Sequence, residues 1–381
     1  MIKYPIASPF FPKEDIPEIL EKIKTILEGD SLLTRGPYVE ELERLFASRV
    51  GTKYAIAVNS GASALELSLG SFLNPGDEVI LPVETFVATA NAVIRQGGKP
   101  IFAGINPKTF CLSFKEVQRL ATKRTKAIII VHFGGIITDE IWEIKKLCQQ
   151  KGIYLIEDAA HAHGSMSQGV YSGNIGDAGC FSFFATKVLT TGEGGIITTN
   201  NRKIYEYAKS VRSHGIDVLS PTEIYNQVGT NSRMNEISAL LGLAQLKHLN
   251  QFIAHRNTIA EIYDSNLEQY ERKGLIYRIK SGKNTVSVCS YWRYIVRLKE
   301  SINRVKIKQA LLKKEIAVDW PYDPPLMLQP VFKSISNARD PHLSKTLEYL
   351  QYHICLPVHM SITPQDAQYI IKSFIKEIKK I

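Results

Sequence analysis

The amino-acid sequence predicts an α/β fold in which a mostly parallel sheet carries helices on both faces and a smaller C-terminal α+β domain follows. Short apolar runs alternate with helical patterns between residues 54 and 199, as expected for βαβ units. The chain has 381 residues, and its hydrophobic content of 44% is enough to fill the cores of two domains. After residue 250 the composition becomes more basic and poorer in glycine, which indicates a change of domain.

The individual elements are predicted from hydrophobic periodicity. Leucine and isoleucine recur at helical spacing over residues 16–27 and again over 39–46, before Gly51, so two amphipathic helices are expected first. The apolar runs that predict strands lie at residues 55–58, 78–81, 100–102, 127–132, 153–156, 179–183 and 195–199. A long helix with an apolar face is predicted over residues 235–249.

We place the domain boundary near Gln251. Residues 1–250 then form a large domain with an N-terminal arm, and residues 251–381 form the small domain. In the small domain a strand is predicted over residues 291–298, with helices over 306–314 and 364–378. This mixture indicates an α+β arrangement.

The net charge of +10 raises the question of nucleic-acid binding. The lysine-rich stretches at residues 123–126 and 376–380 are short and lack interleaved aromatic residues on which bases could stack. We interpret them as solvated surface rather than as a nucleic-acid site. A mild positive field would still attract an anionic substrate such as a nucleotide diphosphate.

Cysteine usage and hydropathy indicate the compartment. The five cysteines are scattered without a C-x-x-C pair, which predicts free thiols in a reducing cytoplasm and argues against a zinc or iron–sulfur site. No apolar run approaches the ~20 residues that cross a bilayer. Residues 1–5 carry one early charge, but no apolar stretch and small-residue cleavage site follow, so we do not expect export. We therefore expect a soluble, cytoplasmic protein without a bound metal.

Asp158 follows a buried strand, at the edge where open α/β sheets place their ligands. A buried carboxylate is costly unless it meets a cationic partner, and the protonated pyridine nitrogen of a cofactor is such a partner. The alternative is that Asp158 caps a helix that begins at Ala159.

Lys187 lies between an aromatic strand and the glycine-rich turn at residues 191–195. Its amine can form an imine once desolvation and cationic neighbours lower its pKa. Ser182, a short strand and a turn earlier, is placed to bind a phosphate. The alternative for Lys187 is an exposed lysine at a strand end.

Residues 57–65 predict a strand that passes through a turn of small residues into a helix. Gly61 and Ala62 would offer backbone amides to an anion at the helix start. Phe86 follows another predicted strand, where its ring could stack on a cofactor or, alternatively, belong to the core.

These features occur together with other short motifs in one characteristic order. The matching segments are residues 33–37, 59–61, 85–86, 157–160, 182–187, 212–215, 231–234, 242–246, 325–330 and 356–359. As a set they resemble the nucleotide-sugar aminotransferases of the DegT type, a branch of the fold-type I pyridoxal phosphate enzymes. The resemblance covers nearly the whole chain and implies that the large domain binds the cofactor.

The resemblance implies a role for four residues around the cofactor ring. Lys187 would carry pyridoxal 5′-phosphate as a Schiff base and move protons, and Asp158 would pair with the pyridine nitrogen. His161 would lie beside the ring hydroxyl, and Phe86 would stack on the ring.

Four further residues would hold the cofactor phosphate. By the resemblance, Gly61, Ala62 and Ser182 bind it from the same chain, while Asn231 reaches the phosphate of the neighbouring subunit. The protein would therefore be an obligate homodimer with shared active sites. The amino donor would be L-glutamate and the acceptor a 3-keto or 4-keto deoxy sugar on a nucleotide diphosphate.

Three positions depart from the family pattern. Ala62 stands where threonine is common, which removes one hydroxyl from the phosphate site and leaves the backbone amides. Ser232 replaces a frequent tyrosine and Met327 a frequent histidine, both on the expected substrate side.

Two other functions compete with transamination. Related pyridoxal phosphate sugar dehydratases share the fold but carry histidine in place of the lysine, so Lys187 favours transamination. A non-catalytic regulatory relative would gain nothing from a buried Asp158 and Lys187.

Overall fold

The computed structural model describes residues 2–29, 32–217, 220–280, 287–335 and 337–380. Its helices are α1 (Ile16–Leu27), α2 (Pro37–Val50), α3 (Gly61–Gly70), α4 (Val87–Arg95), α5 (Phe114–Leu120), α6 (Ile141–Lys151), α7 (Arg202–Val211), α8 (Glu236–Lys247), α9 (Leu249–Arg272), α10 (Arg304–Leu312), α11 (His342–Leu350) and α12 (Pro364–Ile378). Its strands are β1 (Tyr54–Val58), β2 (Glu78–Pro82), β3 (Lys99–Ala103), β4 (Thr125–Val131), β5 (Tyr154–Asp158), β6 (Met166–Ser167), β7 (Val170–Tyr171), β8 (Ala178–Ser182), β9 (Gly195–Thr199), β10 (Ile276–Arg278), β11 (Tyr294–Leu298) and β12 (His353–Leu356). Of the helices in these described ranges, none is long and apolar enough to cross a membrane.

The larger sheet has seven strands in the order β1-β9-β8-β5-β4-β2-β3. Strands β3, β2, β4, β5 and β8 run parallel, whereas β9 is antiparallel to its neighbours β8 and β1. This arrangement confirms the mostly parallel sheet and all seven strands predicted for it. Because β9 reverses direction between β8 and β1, the carboxyl end of β1 lies at the same edge as those of the parallel strands. This is the edge where open α/β sheets bind ligands.

Helices cover both faces of the larger sheet, as predicted. Successive residues of β4 alternate between two apolar cores: Ile129 packs with α3 and α4, and Ile128 packs with α5 and α6. Both side chains are completely buried, as expected for a parallel strand that is covered on both sides. The strand ends at the carboxyl edge therefore extend from a sheet that is packed on both faces.

The C-terminal part builds a second core on an antiparallel sheet in the order β10-β11-β12. Helices α9, α10 and α12 pack on this sheet through side chains that include Tyr263, Ile307 and Phe374. Tyr4 of the N-terminal arm lies in the same core and forms a backbone bridge with Ile316. We propose that the small domain begins near residue 250, a point that lies within α9.

The single helix predicted over residues 235–249 is wrong at its C-terminal end. Asn235 caps α8, which ends at Lys247, and α9 begins at Leu249. His248 separates the two helices, and its Nε2 lies 2.6 Å from Oδ2 of Asp15. Two smaller differences concern element bounds, since the strand predicted over residues 291–298 begins at Tyr294 and the helix predicted over 306–314 is Arg304–Leu312.

Candidate active site

A pocket of about 460 Å³ opens at the carboxyl edge of the larger sheet. Strands β4, β5 and β8 end in it with Val131, Asp158 and Ser182. Apart from Asn231, all residues predicted to bind a cofactor line this pocket: Gly61, Ala62, Phe86, Asp158, His161, Ser182 and Lys187.

One end of the pocket is the start of α3. Ser60 caps this helix by accepting a hydrogen bond from the Ser63 amide at 3.1 Å, and the first amides, on Gly61 and Ala62, have no acceptor within the helix. A Cβ atom at Gly61 would come within 2.7 Å of the Ser182 Cβ atom. Glycine is therefore needed for α3 to approach β8 closely enough for amides and the Ser182 hydroxyl to serve one anion.

Asp158 is the last residue of β5 and is only 6% exposed. Its Oδ2 accepts a hydrogen bond from the Thr89 hydroxyl at 2.9 Å, and its Oδ1 accepts one from the Ala160 amide at 3.2 Å. Both donors are neutral, and burial raises the pKa of the carboxyl group. No helix follows at Ala159, so the interpretation of Asp158 as a helix cap is wrong.

Lys187 lies in the loop between β8 and β9, with its Nζ 4.7 Å from the centroid of the Trp292 ring. Desolvation is the main cause that lowers the pKa of its amine to about 7. The negative charge of Asp158 raises this pKa, and the positive charge of Arg293 lowers it further. Charged and uncharged amines are therefore present in comparable amounts near neutral pH. Lys187 is partly buried and lines the pocket, which contradicts the alternative of an exposed lysine at a strand end.

An aromatic wall stands beside Lys187. The rings of His161 and Trp292 stack with centroids 3.7 Å apart, and the Trp292 indole donates a hydrogen bond to the Thr186 carbonyl at 3.0 Å. His161 Nε2 lies 3.0 Å from the Tyr322 hydroxyl. Burial holds the pKa of His161 well below its ordinary value, so the imidazole is uncharged near neutral pH.

Phe86 precedes α4 and is 55% exposed at the pocket, so it is not a core aromatic. Its ring centroid lies 5.9 Å from that of Tyr322. The exposed ring therefore remains available for stacking on a ligand.

Asn231 does not line the pocket of its own chain. It is exposed, its backbone bridges to Ser213, and its carbonyl accepts a hydrogen bond from the Asn59 side chain at 3.3 Å.

Sequence analysis missed several pocket residues: Thr89, Trp292, Arg293, Asp319 and Tyr322. Thr89 could have been found, because it lies four residues after Thr85, which belongs to the matching segment 85–86. The other four come from the C-terminal half of the chain, and only the tertiary fold brings them to the sheet edge.

The sequence profile of the DegT/DnrJ/EryC1/StrS aminotransferase family matches residues 13–375. This chain belongs to that family. GDP-perosamine synthase of Caulobacter vibrioides is 37% identical to this aminotransferase over 71% of this chain and 72% of its own length. The dTDP-4-dehydro-2,3,6-trideoxy-D-glucose 4-aminotransferase of Saccharopolyspora spinosa is 30% identical over 90% of each chain.

A solved structure extends the similarity to the whole fold and to the cofactor. Spr1654 from Streptococcus pneumoniae, in its pyridoxal phosphate form, has a TM-score of 0.88 and 28% sequence identity, with 99% of this chain and 98% of that chain covered. The cofactor of this aminotransferase is pyridoxal phosphate, as predicted. The pocket fits that group, because it combines helix amides for an anion, a buried carboxylate bonded only to neutral donors, and an amine whose pKa is about 7.

Proposed function

We propose that this aminotransferase moves an amino group from L-glutamate to a keto group of a deoxy sugar on a nucleotide diphosphate. The observation that carries the proposal is the pairing in one pocket of Lys187, whose pKa is about 7, with the buried Asp158. Two relatives that act on GDP- and dTDP-linked sugars, by their names, support the substrate class.

The proposed binding mode assigns each end of the cofactor to one part of the pocket. The amides of Gly61 and Ala62 and the hydroxyl of Ser182 would hold the phosphate at the start of α3. Phe86 would stack on the ring, and His161 would lie beside the ring hydroxyl. When bound, pyridoxal phosphate withdraws electrons from the carbon that bears the amino group.

Lys187 and Asp158 would perform the proton chemistry. An uncharged Lys187 amine can hold the cofactor. Once the amine is released from the cofactor, it can take the proton from the donor α-carbon and transfer this proton to another atom of the reacting molecule. Asp158 would keep the pyridine nitrogen protonated, and Thr89 fixes the Asp158 carboxylate by its hydrogen bond at 2.9 Å. The low pKa of His161 leaves it as a neutral hydrogen-bonding group rather than a competing cation.

We further propose that the active unit is a homodimer in which Asn231 contacts the phosphate bound by the other subunit. Its exposed position outside its own pocket supports this assignment. Exposed leucines on and after α1 supply apolar surface for an interface: Leu20, Leu27, Leu32 and Leu33.

The proposal is tested with L-glutamate and a panel of 3-keto and 4-keto nucleotide sugars. Mass spectrometry should show a product in which the keto oxygen is replaced by an amino group and all hydroxyls are retained. A product that has lost a hydroxyl and gained no nitrogen would instead identify a dehydratase.

A further inference from the structure

The pocket contains a second cation besides Lys187 that has no role in the binding mode above. Arg293 directly precedes β11, lines the pocket and is only 5% exposed. A buried guanidinium is costly unless its donors are satisfied. The partners of Arg293 therefore indicate what it does.

Within the part of the chain that the structure describes, Arg293 has weak partners. Its Nε and Nη2 both lie 3.4 Å from the same oxygen, Oδ2 of Asp319, and its Nη1 donates to the Trp292 carbonyl at 3.1 Å. Arginine–carboxylate hydrogen bonds are normally about 2.8 Å long. Oδ1 of Asp319 has no partner among the described residues.

Two partly buried arginines of this chain bind carboxylates much more closely. Arg278 lies 2.6 Å from Glu271, and Arg304 lies 2.6 Å from Asp323. A guanidinium has five N–H donors, and in Arg293 those on Nη1 and Nη2 are only partly used. Arg293 is therefore held in place, and it keeps N–H donors on Nη1 and Nη2 that can bind a ligand.

The position of Arg293 links these donors to the reactive amine. Its Cζ lies 4.2 Å from the centroid of the Trp292 ring, and the Lys187 Nζ lies 4.7 Å from the same centroid. In an α-amino acid, one carbon separates the amino group from the carboxylate. Because both cations line one pocket and approach the same indole ring, we expect a donor whose amino group is placed at Lys187 to have its carboxylate on the Arg293 side of this pocket.

We propose that Arg293 binds the carboxylate of the amino-acid donor, with Asp319 as the counter-ion that holds the guanidinium between turnovers. The planar guanidinium matches a carboxylate with two parallel hydrogen bonds. The enclosed position suits a small ligand, and the phosphate of the cofactor is served by α3 at another part of the pocket. This inference rests on the proposed transamination from an amino acid.

Glutarate is the probe, because it has the carboxylates of glutamate but no amino group and cannot react. Its binding to the cofactor-loaded enzyme is measured by calorimetry for the wild type and for Arg293→Met, Arg293→Lys and Arg297→Met. Arg297→Met is the matched control, because Arg297 lies in β11, four residues after Arg293, stacks on Tyr277 and does not line the pocket. The neutral diamide glutaramide controls for shape.

We expect Arg293→Met to bind glutarate about tenfold to hundredfold more weakly, as the loss of charge-assisted hydrogen bonds requires. Arg293→Lys should be intermediate, because it keeps the charge and loses the planar fork. Arg297→Met should equal the wild type, and glutaramide should bind all variants weakly. Unchanged glutarate binding by Arg293→Met, or no glutarate binding by the wild type, would overturn the proposal.

Asp319→Asn gives a test that does not depend on removing the arginine. If Asp319 competes with the donor for Arg293, its neutralisation should tighten glutarate binding by roughly threefold to tenfold. A purely structural ion pair would give no such gain, so unchanged or weaker binding by this variant counts against the proposal.

The half-reaction with L-glutamate separates this inference from the proposed function. Arg293→Met should raise the glutamate KM much more than it lowers kcat, and a variant with wild-type kinetics would show that Arg293 does not bind the donor. A wild type that binds glutarate through Arg293 but aminates no keto sugar would instead refute the proposed function and leave the carboxylate site standing.

Discussion

Among single residues, Lys187 shows most directly how the pocket controls reactivity. Burial and the nearby Arg293 lower the pKa of the amine to about 7, whereas the charge of Asp158 raises it. The uncharged fraction therefore grows as the pH increases through neutrality. An exposed lysine stays protonated until far higher pH.

The first prediction concerns the cofactor-free protein. Lys187 should react with a small acylating reagent much faster than the exposed Lys123, and its rate should show an inflection at about pH 7. Asp158→Asn should move this inflection to lower pH, because the substitution removes the charge that raises the Lys187 pKa. Mass spectrometry of the modified peptides gives both rates, and an inflection near the ordinary lysine value would contradict the assignment.

The second prediction tests the role of Asp158 in the loaded enzyme. Asp158→Asn should slow the half-reaction with L-glutamate by roughly 10²-fold or more, since it removes the charge that would keep the pyridine nitrogen protonated. The substitution is nearly isosteric, so circular dichroism and the melting temperature serve as controls for folding. Stopped-flow absorbance measures the rate, and a rate close to that of the wild type would refute the proposed pairing.

Sequence reasoning reached the residues that follow a recognisable local pattern. Asp158 and Lys187 stand where apolar strands give way to polar or glycine-rich segments, and their location in one pocket follows from parallel strands ending at one edge. Trp292, Arg293 and Tyr322 could not be found in this way. They belong to segments around the small sheet, whose packing against the pocket depends on the whole tertiary fold.

Among the elements, the contact between α3 and β8 shapes the end of the pocket at which we propose that the cofactor phosphate binds. Gly61 permits this contact, because its missing side chain leaves room for the Cα and Cβ atoms of Ser182. Ala62 follows on the same first turn, at the position where the family resemblance implies threonine.

The third prediction therefore pairs two substitutions on that turn. Gly61→Ala should weaken cofactor binding and lower the melting temperature, because its new Cβ would come within 2.7 Å of the Ser182 Cβ and 3.2 Å of its Cα. Ala62→Thr should tighten cofactor binding by about twofold to tenfold, the gain from one added hydrogen bond. Equilibrium titration with pyridoxal phosphate measures both, and equal affinities for the two variants would show that this turn does not bind the phosphate.

The bounds of an element were predicted well where the sequence carries a local signal for them. They were predicted badly where a tertiary contact decides where the element ends. Helix α12 occupies the predicted residues, because Thr363 and Asp366 form a capping box that is visible in the sequence. The break at His248 has no such signal. The break coincides with hydrogen bonds from His248 and Lys247 to Asp15. Asp15 lies far away in the chain, so a local sequence pattern could not reveal these contacts.

For the molecule as a whole, the proposed homodimer places Asn231 of one subunit at the active site of the other. The fourth prediction is that inactive Lys187→Ala and inactive Asn231→Asp subunits regain activity when they are mixed and allowed to exchange. Asn231→Asp would place a negative charge against the phosphate of the partner site, whereas one site of a mixed dimer would contain both intact residues.

The activity of the exchanged mixture is compared with that of each variant alone. It is also compared with a mixture of the two variants kept under conditions in which subunits do not exchange. Recovery of activity only after exchange would support the shared site. A wild type that is fully active as a monomer in analytical ultracentrifugation would refute the role proposed for Asn231. The domain boundary near residue 250 and the cytoplasmic location are likewise predictions about the whole molecule.

The packing of Tyr4 in the C-terminal core has a consequence for how the chain matures during synthesis. The Tyr4 amide bonds to the Glu315 carbonyl at 2.9 Å, and His359 Nε2 lies 2.9 Å from the Pro5 carbonyl. Glu315 and His359 leave the ribosome long after the arm does. Tyr4 and Pro5 therefore lack these native contacts while the strands of the large sheet are being synthesised. The small core can be completed only after both distant segments have been synthesised and have met. We therefore expect this core to be the last region of the nascent chain to become protected.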